Sequence, residues 1–461
     1  MADIDAIFKA YDVRGVVPDQ LDAALCGQIG AAFARFVRDR AEAERAAGGT
    51  AAKPKRVLVA RDMRRSGIEL AAAFAEGVQR QGLDVVDLGL ASTDLVLFAA
   101  GRLDAPGAMF TASHNPARYN GIKLCLAGAR PVGEDTGLGD IRRLAASGVG
   151  SAPTEVGRIE ELDLLDEFAA HVRSFVDVAA LRPLRVVADT ANGMGGLVVP
   201  RVFEGLPFEL DILYGDLDGT FPNHPADPIQ LENLRDLQAR VRATGADVGL
   251  AFDGDADRVF LVDDTGEPLS GSTTTAIVAA RVLEREPGAT ILHNLICSKA
   301  VPEVILEHGG TPVRTRVGHS FIKQVMAETG AAFGGEHSAH YYFRDNFRAD
   351  SGSIAALVVL EQICKAGMPL SELRNPYDRY AASGEINTTV DDPAAVIERV
   401  AGAYPDATQD RVDGLTLDLG DWWFNLRPSN TEPLLRLNLE APTREAVDAH
   451  VAEVRATMTK G

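Results

Sequence analysis

Residues 251–259 read AFDGDADRV, with Asp253, Asp255 and Asp257 at alternate positions after an apolar run. Carboxylates this dense repel one another unless a cation sits among them, and hard oxygen ligands select Mg²⁺ or Ca²⁺. An EF-hand counted from Asp253 would need Gly at loop position 6 and Glu at position 12. Arg258 and Asp264 stand there, so that arrangement is excluded. Three carboxylates leave positions open on an octahedral Mg²⁺, which usually bridges to a phosphate. A solvated acidic turn is the plainer alternative. The preceding strand and the neighbouring Arg258 favour the metal.

Three other loops carry candidate chemistry. TASHNP (residues 111–116) presents Ser113 at a strand end, but Ala112 and His114 flank it, so it is not a Gly-x-Ser-x-Gly elbow. A serine in this place is commonly a cap or turn residue. As a nucleophile it would need activation or, for phosphate, a metal to absorb charge. The aspartate loop would supply that if the two loops meet. GGEHSAH (residues 334–340) offers Glu336, His337, Ser338 and His340 on a Gly-Gly turn. Carboxylate and hydroxyl groups two residues apart suit hydrogen bonds to a polyol such as a sugar, though ordinary polar decoration would look the same. His337 and His340 lack a nearby third ligand and make a poor zinc site. RPSNTEP (residues 427–433) sets Arg427 beside Ser429, Asn430 and Thr431. A guanidinium fork with hydroxyl, amide and backbone donors suits a phosphate dianion; the alternative is a capping turn between strands.

These loops need elements to hold them, and the chain repeats one pattern three times. An apolar strand leads through a helix-length stretch to a second strand ending in Gly, and then to a third strand. The first set is RVLVARD from Arg56, DVVDLG from Asp84 and GAMFTASHN from Gly107. The second is RVVADTANG from Arg185, FELDILYG from Phe208 and GADVGLAFDGD from Gly245. The third is TILHNLICS from Thr290, TPVRTRVG from Thr311 and GAAFGGEHS from Gly330. Such alternation predicts βαβ units on parallel sheets, with ligands at the loops beyond the strand C-termini. Each third strand ends in one of the polar loops. Residues 151–180 read as a polar turn and an amphipathic helix, and residues 41–53 as a helix tail and surface loop. Past Pro369 the period changes: EINTTV, LTLDLG and LLRLNLEA alternate as strands and REAVDAHVAEVRATM closes as a helix, a smaller α+β module. The expected domains are residues 1–150, 151–262, 263–370 and 371–461.

Composition bounds the partners. The chain has 461 residues, 46% hydrophobic and 24% charged, as in ordinary globular proteins. No run approaches the ~20 apolar residues of a membrane span, and no signal peptide is visible in MADIDAIFKAYDVRG. Four scattered cysteines form no CxxC pair, which disfavours a disulfide framework. The net charge of −20 disfavours nucleic acid. A cytoplasmic protein is expected.

Together the four loops, in this order and spacing, resemble those of the α-D-phosphohexomutase superfamily. TASHNP resembles its phosphoserine loop, DGDADR its Mg²⁺ loop, GEHSAH its sugar loop and RPSNTEP its phosphate loop. AYDVRG (10–15), NGIK (120–123), FPNHPADP (221–228) and VGHSFIK (317–323) agree. The likeness spans nearly the whole chain and is greatest to the bacterial phosphomannomutase/phosphoglucomutase group, because His337 stands where phosphoglucosamine mutases typically carry Gln. Ala339 departs from the usual Gly, adding a methyl and removing freedom at positive φ.

The resemblance implies three similar α/β domains with mixed, largely parallel sheets and a smaller C-terminal α+β domain, around a central cleft. It implies that Ser113 carries a phosphoryl group, and that Asp253, Asp255, Asp257 and a phosphoserine oxygen hold Mg²⁺. Glu336 and Ser338 would hold sugar hydroxyls, and Arg427, Ser429, Asn430 and Thr431 the non-reacting phosphate. Tyr11, Arg14, Lys123, Arg258, Lys299 and His319 match further active-site positions, with Lys123 and His319 assigned proton transfer and charge stabilisation. The implied reaction interconverts hexose 6-phosphate and hexose 1-phosphate, of mannose and also glucose, through a bound hexose 1,6-bisphosphate that also serves as activator. A monomer or homodimer is expected. The alternatives are a Mg²⁺-dependent sugar-phosphate phosphatase, a phosphoglucosamine mutase, and a catalytically silent binding protein. Ser113 retained with all three aspartates speaks against the last.

Overall fold

A computed structural model describes residues 4–49, 53–150, 155–428 and 434–459. The chain forms two compact units: Met1–Leu269 with Ala339–Ser371, and Ser270–Ser338 with Glu372–Gly461.

The first unit holds two sheets. In the first, Arg56–Arg61 lies between Asp84–Leu90 and Gly107–Phe110, both parallel to it. Tyr119–Leu126 returns antiparallel beside Gly107–Phe110, and Val13–Val16 pairs antiparallel with that strand in turn. One apolar face is covered by Ala23–Ala46, capped by the Asp22 carboxylate accepting from the Leu25 amide, and by Ser66–Arg80. These helices touch through glycine. A Cβ on Gly30 would stand 2.1 Å from the Phe74 carbonyl oxygen, inside any tolerable contact. Phe33, Phe74 and Phe110 pack through the layer with centroids 6.1 and 5.4 Å apart, the first pair tilted and the second edge to face. Each fully buried ring contributes about 1.5–3 kcal/mol.

The second sheet repeats the design. Leu184–Asp189 lies between Phe208–Leu213 and Val248–Phe252, both parallel, and Val259–Asp263 returns antiparallel. Val248–Phe252 and Val259–Asp263 are buried along their whole length, which is why they read as continuous apolar runs rather than alternating ones. Register pairs Phe252 with Val259, so Asp253–Arg258 forms the connection at the sheet's end. In the first sheet Phe110 pairs with Ile122, and residues 111–118 occupy the corresponding place. The serine and aspartate loops are thus equivalent positions of two copies of one motif.

In the second unit Thr290–Asn294 lies between Thr311–Thr315 and Phe333–Gly335, again parallel. The C-terminal part is an antiparallel sheet in the order Ala381–Thr389, Leu434–Ala441, Trp423–Pro428, Leu415–Asp418, Thr408–Asp410. Its core gathers Phe424, Leu426, Leu437 and Trp422 under Pro393–Ala403 and Arg444–Thr459.

All nine strands of the threefold pattern are present. The sheets are mixed as the resemblance implied, but the sequence reading did not locate the antiparallel return strands, the strand Trp423–Pro428 or the helix Pro393–Ala403. Ile159–Glu161, inside the stretch read as a turn, joins the first sheet parallel to Asp84–Leu90. All three of its residues are exposed, so no apolar pattern marks it. Among the described residues no helix is long and apolar enough to cross a membrane.

Candidate active site

Ser113 follows the strand Gly107–Phe110 and adopts φ 47°, in the left-handed region. Its amide donates to Thr111 Oγ1 at 2.8 Å, and the residue is buried. A serine in this conformation costs about 1–2 kcal/mol, a strain that surrounding contacts must hold. The turn aims Oγ at the aspartate loop, where it donates to Asp253 Oδ2 at 2.8 Å. Glycine permits the meeting: a Cβ on Gly254 would lie 2.4 Å from the Ser113 carbonyl oxygen.

Asp253, Asp255 and Asp257 are buried, with one oxygen from each within 4.8 Å of the others. Lys123 Nζ, on the strand Tyr119–Leu126, donates to Asp255 Oδ2 and Asp257 Oδ2, both at 2.7 Å. Thr93 Oγ1 donates to Asp255 Oδ2 at 2.6 Å. Arg258 Nε donates to Asp253 Oδ2 at 2.9 Å, and its Nη2 lies 3.4 Å from Ser113 Oγ and 2.6 Å from His114 Nδ1. Two oxygens, Asp255 Oδ1 and Asp257 Oδ1, are buried without a hydrogen-bond partner. Burying unpaired carboxylate oxygens is costly. Together with an all-oxygen donor set, they fit a hard dication.

The charges follow from this crowding. Burial favours the neutral amine of Lys123, but Asp255 and Asp257 outweigh it and hold the pKa above its ordinary value. Burial likewise works against ionised Asp255, yet Lys123 and the Thr93 hydrogen bond carry it well below the usual carboxylate range. Asp253 is pushed up to about 7 by burial, with repulsion from its two neighbours opposing the attraction of Arg258. A dication among the three would reverse that repulsion. His114 is driven down to about 2 by burial and then by Arg258 and Arg14, so a neutral ring faces Arg258.

Arg14 reaches the same loop, donating through Nη1 to Asn115 Oδ1 at 2.6 Å while pairing with Asp12. Tyr11 is half-buried in the bend just before it. His340 pairs with Asp350 at 2.8 Å, and both lie with Asp257 in a second group of metal-capable atoms. Ala339 takes φ 64° and is fully buried, so the added methyl sits in the left-handed conformation that Gly would occupy without strain.

In the second unit the expected residues have partners of their own. Lys299 Nζ donates to Asp418 Oδ1 at 2.7 Å and to the Gly420 carbonyl at 2.8 Å. Glu336 Oε2 accepts from Asn294 Nδ2 at 3.0 Å and the Gly318 amide at 3.3 Å. Ser338 is half-buried. Arg427 Nη1 lies 3.5 Å from Asp413 Oδ2, at the end of Trp423–Pro428. His319 opens the helix His319–Thr329, but its side chain lies outside the described residues, as do Ser429, Asn430 and Thr431.

The structure therefore brings Ser113, Arg258 and the three aspartates into one buried cluster, with the half-buried Lys123 at its edge. Sequence reasoning gave no role to Thr93, His114 or Arg64. Thr93 acts on Asp255, 162 residues away, and no local pattern could reveal it.

Family models of phosphoglucomutase/phosphomannomutase α/β/α domain I match residues 5–147, domain II 166–266, domain III 270–380 and the C-terminal domain 385–457. A phosphomannomutase of Escherichia coli K12 is 39% identical over 463 residues, 98% of each chain. A protein described as "Phosphohexose mutases" from Xanthomonas campestris pv. campestris B100 is 40% identical over 442 residues, 94% of each. The crystal structure of a phosphoglucomutase/phosphomannomutase family protein from Burkholderia thailandensis superposes with a TM-score of 0.88 at 32% identity, covering 100% of this chain and 99% of that one.

Three α/β domains of one design followed by a C-terminal domain define the α-D-phosphohexomutase superfamily. The chain belongs to its phosphoglucomutase/phosphomannomutase family, the hexose phosphate mutases.

Proposed function

We propose that this mutase interconverts the 6- and 1-phosphates of mannose, and also of glucose, through a phosphoserine cycle on Ser113. The observation that carries the reading is Ser113 Oγ, 2.8 Å from Asp253 inside the buried aspartate cluster. The segments 1–150, 151–262, 263–370 and 371–461 contribute in turn the serine, metal, sugar and phosphate loops. The working protein is cytoplasmic, as a monomer or homodimer.

Mg²⁺ is the proposed ion, held by Asp253, Asp255, Asp257 and an oxygen carried on Ser113. When bound it supplies charge neutralisation for the transferring phosphoryl group. A free hydroxyl of the hexose phosphate attacks phosphorus as the Ser113 Oγ–P bond breaks; the hydroxyl gives up its proton and the departing Ser113 Oγ gains one, with Lys123 and His319 as the proton-transfer groups. Lys123, held as an ammonium, and Arg258 bring fixed positive charge to the equatorial and leaving oxygens. The sugar, now phosphorylated at both ends, turns over and returns the other phosphoryl group to Ser113. Any hexose 1,6-bisphosphate lost must be resupplied, which makes it the activator. Two sugar orientations require one interchangeable pocket for the non-reacting phosphate: Arg427, Ser429, Asn430 and Thr431, with Glu336 and Ser338 on sugar hydroxyls. Tyr11, Arg14 and Lys299 complete the substrate contacts.

Peptide mass spectrometry of the purified protein should find phosphate on Ser113, and Ser113→Ala should abolish mutase turnover. Phosphate elsewhere with an active Ser113→Ala enzyme would refute the cycle. Comparison of kcat/KM for mannose 1-phosphate and glucose 1-phosphate tests the preference.

A further inference from the structure

Arg64 is buried to 1% exposure, and its side chain spends every donor it has. Nη2 donates to the carbonyls of Ser113 at 2.9 Å and Asn115 at 2.6 Å. Nη1 donates to those of Pro116 at 2.9 Å and Tyr119 at 3.1 Å. Nε donates to Asp62 Oδ2 at 3.1 Å, and this fully buried carboxylate also accepts from the Arg64 amide at 2.9 Å. A guanidinium has five N–H groups in a rigid plane, and here each has one acceptor. Four of the five are backbone carbonyls, three in the loop that presents Ser113 and one, of Tyr119, at the start of the strand that follows it.

The plane is held from its face as well. The Phe221 ring centroid lies 5.0 Å from the guanidinium carbon, within cation–π range. Phe221 opens the FPNHPADP loop, and the chain just before it passes close enough that a Cβ on Gly219 would stand 2.7 Å from Arg64 Cα. That loop is tied down independently, Asn223 Nδ2 donating to Asn192 Oδ1 at 2.8 Å and His224 pairing with Asp189 at 3.0 Å. The second α/β domain therefore braces an arginine of the first, and that arginine fixes the turn at Ser113.

We propose that Arg64 is a positioning residue for the phosphoryl carrier. It holds the strained left-handed turn so that Ser113 Oγ points at the aspartate cluster, and Phe221 locks the guanidinium that does so. Arg64 hydrogen-bonds to neither Oγ nor any of the three aspartates, so its hydrogen bonds act on Ser113 through backbone geometry, and Arg64→Lys keeps the charge that Asp255 also feels. This inference rests on Ser113 carrying the phosphoryl group.

The test uses full-length Arg64→Lys and Phe221→Leu enzymes. Lysine keeps the charge but has three donors without the planar fork. Folding is followed by circular dichroism, alongside kcat, KM and the rate of Ser113 phosphorylation by glucose 1,6-bisphosphate. For a folded Arg64→Lys enzyme, kcat should fall about tenfold to a hundredfold, as expected for a misplaced reacting group. KM for hexose 1-phosphate should stay within about twofold, and phosphorylation of Ser113 should slow by the same factor as kcat. Phe221→Leu should lower kcat about threefold in the same pattern. A folded Arg64→Lys enzyme with wild-type kcat, or one whose loss lies mainly in KM, overturns the proposal. If Arg64→Lys does not fold, wild-type kcat and phosphorylation rate in Phe221→Leu overturn it instead. Wild-type enzyme that never takes label on Ser113 refutes the phosphoserine reading itself, whereas normal wild-type labelling unchanged in the variants refutes only the role of Arg64.

Discussion

Ser113 Oγ and Asp253 Oδ2 lie 2.8 Å apart although 140 residues separate them in the chain. Each sits just beyond the C-terminal end of the third parallel strand in its own sheet, and the two sheets bring equivalent loops together. The repeated fold thus opposes the proposed phosphoryl carrier to the proposed metal ligands, and the backbones pass so closely that a Cβ on Gly254 would lie 2.4 Å from the Ser113 carbonyl oxygen.

Gly254→Ala should separate them. The new Cβ would meet the Ser113 carbonyl oxygen at 2.4 Å, a backbone contact that no rotamer change relieves. Overpacking of this kind costs about 1–3 kcal/mol, and a displaced nucleophile should lower kcat by about tenfold or more. Melting temperature and kcat measured together check this; an unchanged kcat would show that the loops need not meet so closely.

Asp255→Asn preserves shape but removes the charge that Lys123 and Thr93 both contact. Mg²⁺ affinity, read by titration calorimetry, should fall at least about tenfold, with turnover falling in step. Chelator should abolish wild-type turnover, and added Mg²⁺ should restore it. Full activity in strong chelator would refute the oxygen site.

Arg427→Ala should raise KM for hexose 1-phosphate and hexose 6-phosphate alike, by roughly 1.5–3 kcal/mol for a lost charge-assisted bond. Ser113 should still take phosphate from the bisphosphate. A change confined to one substrate would refute a shared pocket for the non-reacting phosphate.

His224 makes stability depend on pH. Burial opposes its protonation, but the hydrogen bond to Asp189 and that carboxylate's charge outweigh it, so the pKa is raised above 6.5. A raised imidazolium contributes stability that is fully present below 6.5 and is lost as pH climbs through the folded-state value. His224→Gln should therefore flatten the decline of melting temperature across that window. The ring-proton shift of His224 in NMR should titrate above 6.5, and a midpoint below it would reverse the sign.

Much of this protein is legible locally. Strands such as Arg56–Arg61 and Val248–Phe252 announce themselves as apolar runs because burial on both faces demands it. The loops follow because ligands in such sheets gather beyond strand ends. Asp253, Asp255 and Asp257 are readable as a cation site because their mutual repulsion is a property of sequence spacing alone. Other features depend on partners the chain brings from far away. Ile159–Glu161 is exposed and gains strand character only from pairing with Asp84–Leu90. Thr93 matters through Asp255, and Arg64 through four carbonyls of residues 113–119, groups that every residue type carries and no sequence pattern can mark. Residue spacing determined what chemistry each loop can do; only tertiary packing decided which atoms meet, because backbone register and side-chain contact are set across the chain rather than along it.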